Sequence, residues 1–225
     1  ELVEIRAADL RFTPEEAASY FNDSMGLGLS PGDVTALEER TEGWIAALQL
    51  AALSMAGRED VGSFIAGFSG DDRYVVDYLV EEVLRRQPDH VQTFLLHTCV
   101  LDRMNGALCD AVTGQQGSRA LLEALDRDNL FLVPLDDRRQ WYRYHHLFAD
   151  VLRARLLDEQ PEQVDRLHRL ASDWYDGHGD RSEAVRHAMA GHDHPRTATL
   201  IELEMPALRR DRREATMRAW LEQLP

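Results

Sequence analysis

Apolar residues recur at helical spacing along most of this chain, and in one short stretch they alternate instead. Thr13-Pro14-Glu15-Glu16 reads as a helix start: a capping hydroxyl, a proline at the first turn, then acids at the positive end of the dipole. That helix should end near Gly26, and Ser30-Pro31-Gly32-Asp33 should start another. From Gly43 to Met55, residues Trp44, Ala47, Leu48, Ala51, Ala52 and Met55 form one face. Leu50 and Leu53 make the opposite face apolar too, which predicts a helix enclosed by others. Val61 to Phe68 reads as a further short helix, so the segment up to about Ser69 is expected to be a compact four-helix lid.

The next segment opens with Val75, Val76, Leu79, Val80 and Val83 on one helix face. Pro88 breaks that helix and starts another with Val91, Phe94 and Leu95 inward. Asn105 and Ser118 look like caps of helices over 106–112 and 119–127. Then the period changes. Leu130 to Leu135 reads as a strand, Asp136-Asp137-Arg138-Arg139 as a polar turn, and Trp141 to Tyr144 as a second strand. A helix from about His146 to Leu156 follows. Helices, one short hairpin and another helix describe a winged-helix domain.

Beyond Pro161, Val164, Leu167, Ala171, Trp174 and Tyr175 face one way. Gly177 to Asp180 is a turn, and Ala184, Val185, Ala188 and Met189 form a partner helix. A second pair runs from Pro195 to Glu204 and from Glu214 to Leu224. Antiparallel pairs of roughly 35–40 residues suggest a solenoid of tetratricopeptide-like repeats. One or two such repeats do not close a superhelix, so further repeats are expected downstream. The chain also opens on Glu1, with Met25 its first methionine, which favours a piece of something longer.

Composition narrows the chemistry. All 25 basic residues are arginine. A phosphate-binding loop of the Walker type needs a lysine, so no complete nucleotide-hydrolysing site is expected here, and a Schiff-base lysine is excluded. The net charge is −15. Residues 1–71 carry 13 acids against 4 arginines, 72–157 carry 13 against 11, and 158–225 carry 14 against 10. Nucleic-acid affinity comes largely from cations on phosphates, so direct nucleic-acid binding is not expected. No apolar run reaches the length of a membrane span, and no signal peptide is seen. Cys99 and Cys109 lack zinc or disulfide spacing, and as reduced buried thiols they suit a cytoplasmic protein.

Several stretches, in order, resemble one family. Thr41-Glu42-Gly43-Trp44-Ile45-Ala46-Ala47-Leu48-Gln49-Leu50 is similar to an element of MalT-like regulators, large signal-transducing ATPases of the STAND class with a LuxR-type helix-turn-helix at the C-terminus. Tyr78 to Leu84, Asn129 to Asp136, and above all Trp141-Tyr142-Arg143-Tyr144-His145-His146-Leu147-Phe148 resemble their later signatures. Trp174-Tyr175 followed by Glu183 to Ala188 resembles the opening of their helical repeats. The resemblance implies a mainly α fold with three parts. Residues 1–70 would be the helical lid, 71–158 a winged helix with one short β-hairpin, and 159–225 the start of a TPR-like sensor superhelix. It also implies an upstream P-loop ATPase domain, ADP or ATP as cofactor of the full-length protein with only part of the site here, and downstream sensor repeats that take a small-molecule or protein inducer. Self-association in the ATP state and DNA binding by a distant domain complete the implied scheme.

The resemblance further implies that His145, where a strand hands over to a helix, reaches the β-phosphate of ADP. The other reading is a histidine satisfied within the winged helix, and His146 reads as a cap of the following helix. Gly43, Trp44 and Ile45 stand where related modules carry a Gly-Leu-Pro element bordering the adenine, with Ile45 replacing the proline; plain helix packing by Trp44 is the alternative. His187, His192 and His194 lack the regular spacing of a metal site and are expected in a solvated loop. The Arg209-Arg210 and Arg212-Arg213 run, with Asp211 and Glu214 beside it, reads as a solvated face, as do Arg138, Arg139 and Arg143 on the wing. No hydrolase arrangement is present, so this stretch is not expected to be an enzyme. Two other outputs stay open: regulation of a serine/threonine kinase carrying a MalT-like module, and a helical protein-interaction adaptor.

Overall fold

A computed structural model describes residues 11–55, 62, 64–65, 79–128, 130–210 and 214–222. The expected helix over 61–68 and the start of the one from Val75 fall largely outside these residues, as do Asn129, Arg212 and Arg213. The chain folds as two compact units: Glu1–Gln92 with Leu125–Val133 and Tyr144–Ala154, and Thr93–Ala124 with Pro134–Arg143 and Arg155–Pro225.

In the first unit, helix α1 (Pro14–Ser19) begins where the sequence places it. The Thr13 hydroxyl accepts from the Glu16 amide and the Glu16 carboxylate accepts from the Thr13 amide, a reciprocal capping box. The helix widens into a π-helical turn, Tyr20–Ser24, and ends before Gly26. Asn22 then holds the following loop through both backbone groups of Leu29, at 2.6 and 3.1 Å. A second capping box, Ser30 with Asp33, starts α2 (Pro31–Thr41). Helix α3 (Ile45–Met55) buries Ala47, Leu48, Ala51, Ala52 and Met55. A π-helical turn, Leu79–Leu84, buries the leucines at both its ends.

Helix α4 (Asp89–Thr98) starts just after Pro88, whose carbonyl accepts from Val91 and Gln92. Phe94 and Leu95 are fully buried on it. Asn105 caps α5 (Gly106–Thr113) by accepting from the Leu108 amide. Gly106 is demanded by a close approach: a Cβ there would lie 2.9 Å from the Arg119 Cα in α6 (Ser118–Arg127). Ser118 does not cap α6. The Gly117 carbonyl accepts the first helical bond, and the Ser118 amide is taken by the Asp110 carboxylate at 2.9 Å, a partner eight residues away that local pattern does not reveal.

The wing is a two-stranded antiparallel hairpin, β1 (Leu132–Pro134) with β2 (Tyr142–Tyr144), and Met104 adds a bridge to Tyr142. Asp136 builds its turn by accepting from the amides of Arg138, Gln140 and Trp141 at 2.9, 3.2 and 2.7 Å. Partial desolvation works against that carboxylate, but the three amides outweigh it and hold it below the usual carboxylate range. Helix α7 (His146–Glu159) follows, burying Leu147, Phe148, Val151 and Leu152. The fold is thus mainly α with one short hairpin, as the apolar pattern predicts.

Helix α8 (Pro161–Gly177) and α9 (Arg181–Ala190) pack as a pair, with the Asp180 side chain capping the second. Leu167, Ala171, Tyr175, Ala184, Val185 and Ala188 are buried, and the Ser172 hydroxyl donates to the Ala184 carbonyl at 2.8 Å. Helix α10 (His194–Arg210) packs on α9, and α11 (Glu214–Glu222) on α10. The sequence places the end of α10 at Glu204, yet the helix runs on through Pro206. Proline forfeits one bond, to the carbonyl of the exposed Glu202, while buried Leu208 anchors the last turn.

Candidate functional site

The turn between α2 and α3 shapes one side of the candidate site. Glu42 takes a left-handed conformation (φ 50°, ψ 36°), and Gly43 continues it at φ +68°. A Cβ at Gly43 would lie 2.5 Å from the Phe12 carbonyl oxygen, and the Phe12 amide donates to the Gly43 carbonyl at 2.9 Å. Glycine is therefore required twice over, by dihedral and by contact. Trp44 follows, and its amide donates to the Thr41 carbonyl at 2.9 Å. Ile45 is half-buried and begins α3.

The other side comes from the base of the wing. Phe131 is also left-handed, at φ 53°, and its carbonyl accepts from the His145 amide at 2.8 Å. The Trp44 ring stands edge-on to Phe131 and to His145, with centroids 4.6 and 5.9 Å apart. Two non-glycine residues in a sparsely populated backbone region thus converge on one histidine, a pattern associated with functional positions.

His145 is buried at 4% exposure, and its Nε2 lies 2.8 Å from the Thr41 carbonyl oxygen. A carbonyl only accepts, so Nε2 carries the hydrogen. Nδ1 is then a bare lone pair, and it is buried without a hydrogen-bond partner. Desolvation lowers the pKa of this ring; the Glu42 carboxylate and the Thr41 bond act in the opposite direction but do not offset it. The resting ring is a neutral imidazole with one donor spent and one acceptor unspent.

His146 is exposed and does not cap α7. The cap position belongs to His145, whose carbonyl accepts from Ala149. The first free amide of the helix is satisfied instead by Glu42: Oε1 accepts from His146 N at 3.3 Å and lies 3.4 Å from its Nδ1. Arg11 approaches the same carboxylate at 3.8 Å. Of the residues that the resemblance points to, Gly43, Trp44 and Ile45 are consecutive in this turn, and the Trp44 ring stands edge-on to His145. The sequence missed Thr41, Glu42, Phe131 and Arg11. The Glu-Gly pair closing a capped helix is the one local signal that could have found part of this set.

A second histidine sits in the other unit and corrects an expectation. His187 is not in a solvated loop; it is fully buried in α9. The Arg186 guanidinium donates to its Nε2 at 3.0 Å, so its hydrogen is on Nδ1, which meets the His168 Nδ1 at 2.9 Å. The Tyr175 ring stacks on it at 5.5 Å. Burial, then the Arg186 charge and His168, push its pKa down to about 2. Of the three, His192 and His194 are exposed, and His192 pairs with Asp165 at 3.0 Å. Among the described residues no cluster of three or more His, Cys, Asp or Glu could hold a metal ion, and no helix is long and apolar enough to cross a membrane.

The test of a phosphate at His145 follows from these bonds. The Glu42 carboxylate already holds the helix N-terminus and pairs with Arg11, so the open position for an anion is the unsatisfied buried nitrogen of His145. That nitrogen is an acceptor, however, as phosphate oxygens are. The residues fit a phosphate once Nδ1 carries a proton.

Comparison with known proteins bears on what the site serves. A family model described as the MalT winged helix domain matches residues 80–164. The chain is 40% identical over all 225 residues to the serine/threonine-protein kinase PknK of Mycobacterium tuberculosis (strain ATCC 25618 / H37Rv), covering 20% of that protein. It is 35% identical over 199 residues to the HTH-type transcriptional regulator MalT of Cronobacter sakazakii, which takes in 86% of this chain and 22% of that one. A MalT of Klebsiella pneumoniae subsp. pneumoniae is 36% identical over 195 residues, with the same coverage. The chain spans about a fifth of the length of these curated relatives.

Proposed function

Because the chain is MalT-like and carries a MalT-type winged-helix domain over residues 80–164, we propose that it couples the nucleotide state of a larger regulator to that regulator's output. In this reading residues 1–70 are the lid of a STAND-type nucleotide-binding module, 71–158 its winged helix, and 159–225 the opening of a TPR-like sensor. A P-loop ATPase domain lies upstream and further repeats downstream. Bound ADP supplies a β-phosphate that His145 reads, and the Gly43-Trp44-Ile45 turn borders the adenine. Inducer and ATP favour self-association, and the module acts in the cytoplasm as a rigid relay without contacting DNA. A contact that depends on which nucleotide is bound ties the position of a domain to nucleotide state, because it gives the two states different affinities.

The observation that carries this reading is the buried, unpartnered His145 Nδ1 beside the 41–45 turn. The test is ADP retained by the purified full-length protein. His145→Ala should release it and shift the protein toward self-association without inducer; unchanged retention overturns the assignment. A second reading is supported by identity over the entire chain to PknK, higher than to either MalT. There the same relay would regulate a kinase domain. Kinase motifs upstream of the nucleotide module, instead of a C-terminal helix-turn-helix, would select it.

A further inference from the structure

His145 has one donor, Nε2–H, and it is committed to the Thr41 carbonyl at 2.8 Å. Its other nitrogen is a buried lone pair. A fully ionised phosphate oxygen brings only lone pairs to that nitrogen, and two acceptors facing each other in a dry site repel. Moving the ring hydrogen from Nε2 to Nδ1 would serve the phosphate but set a bare Nε2 lone pair against the Thr41 carbonyl oxygen, losing the bond that aligns the ring between Trp44 and Phe131. Adding a proton keeps both bonds.

We infer that a nucleotide phosphate is held at His145 with uptake of one proton from solvent, so that an imidazolium bridges the Thr41 carbonyl and a phosphate oxygen. This rests on the reading of His145 as the β-phosphate contact. No covalent bond changes; the proton is added at Nδ1 and leaves with the phosphate. The charged groups around the ring make the exchange possible. The Glu42 carboxylate favours the imidazolium, whereas Arg11 and His146 oppose it. Trp44 and Phe131 pack the ring without charge. Burial outweighs Glu42 and keeps the proton off until an anion arrives, and the anion adds the further negative charge that holds it. Nucleotide release and proton release are then one event, and acidification tightens the ADP-bound state.

The experiment is calorimetric titration of the full-length protein with ADP between pH 7.5 and 8.5, where the β-phosphate is fully ionised, in buffers of different ionisation enthalpy. We expect uptake of about one proton per ADP and a Kd that weakens by close to tenfold per pH unit, the linkage slope for one proton. AMP should bind with no uptake. In His145→Gln an amide that cannot titrate replaces the ring, so ADP binding, at whatever affinity remains, should bring no uptake. Uptake near zero in the wild-type protein overturns the inference. If His145→Ala also leaves the ADP-over-AMP preference untouched, the phosphate reading falls with it; if the preference is lost, that reading survives and only the proton coupling is wrong.

Discussion

Two buried histidines, one in each unit, show how the same side chain can be a structural part or a poised one. His187 has both ring nitrogens engaged, by Arg186 and by His168, and a tyrosine stacked on its face. His145 has one nitrogen engaged and one bare. Both are pushed toward the neutral form, chiefly by burial. A ring whose bonds are complete gains nothing from a ligand. A ring with a stranded acceptor carries an unmet cost of about 1–3 kcal/mol that a suitable partner can remove.

The contrast sets the size of the mutational effects. The largest is expected at His187. His187→Leu keeps volume but leaves Arg186 and His168 without their shared partner, and urea unfolding should show a loss of about 3 kcal/mol. An effect below about 1 kcal/mol would mean that the hydrogen-bonded chain through α8 and α9 is not stabilising.

Acid titration sharpens the same point. His187 stays neutral in the folded protein down to about pH 2, while the unfolded chain takes up its proton near the ordinary value of 6.5. Stability from this group is therefore fully present above pH 6.5 and drains away as pH falls below it. By pH 4.5 the loss should be about 2–3 kcal/mol. His187→Leu should flatten that slope, whereas a slope unchanged by the substitution would assign the acid sensitivity elsewhere. His145 contributes with the same sign.

Gly43→Ala comes next. The left-handed backbone and the 2.5 Å approach to the Phe12 carbonyl should together cost about 2 kcal/mol in thermal or urea unfolding. The smallest effect is predicted for the poised ring. His145→Leu loses the Thr41 bond but also removes a stranded acceptor, so stability should change by about 1 kcal/mol or less. A loss as large as that of His187→Leu would place both histidines in the same structural class.

How much of this was legible depended on the distance between partners along the chain. Thr13, Ser30 and Asn105 announce their helices because a cap acts on amides three residues away. Ser118 misled because its amide is taken by Asp110, and α10 outran its expected end because Leu208 anchors a turn beyond a tolerated proline. His187 looked solvated because its neighbours include Gly191 and Pro195. Its partners Tyr175 and His168 lie on the preceding helix, the latter 19 residues away. Only the resemblance points to His145. Its bond to Thr41 spans 104 residues, so neither its tautomer nor its bare nitrogen could be read from the pattern around it.

We propose that His145 distinguishes nucleotides by their terminal phosphate. The most direct measurement is the affinity of the full-length protein for ADP and for AMP, with His145 intact and as His145→Ala. ADP should weaken at least tenfold, about 1.4 kcal/mol, while AMP is unchanged. Equal weakening of both nucleotides, or of neither, would contradict it.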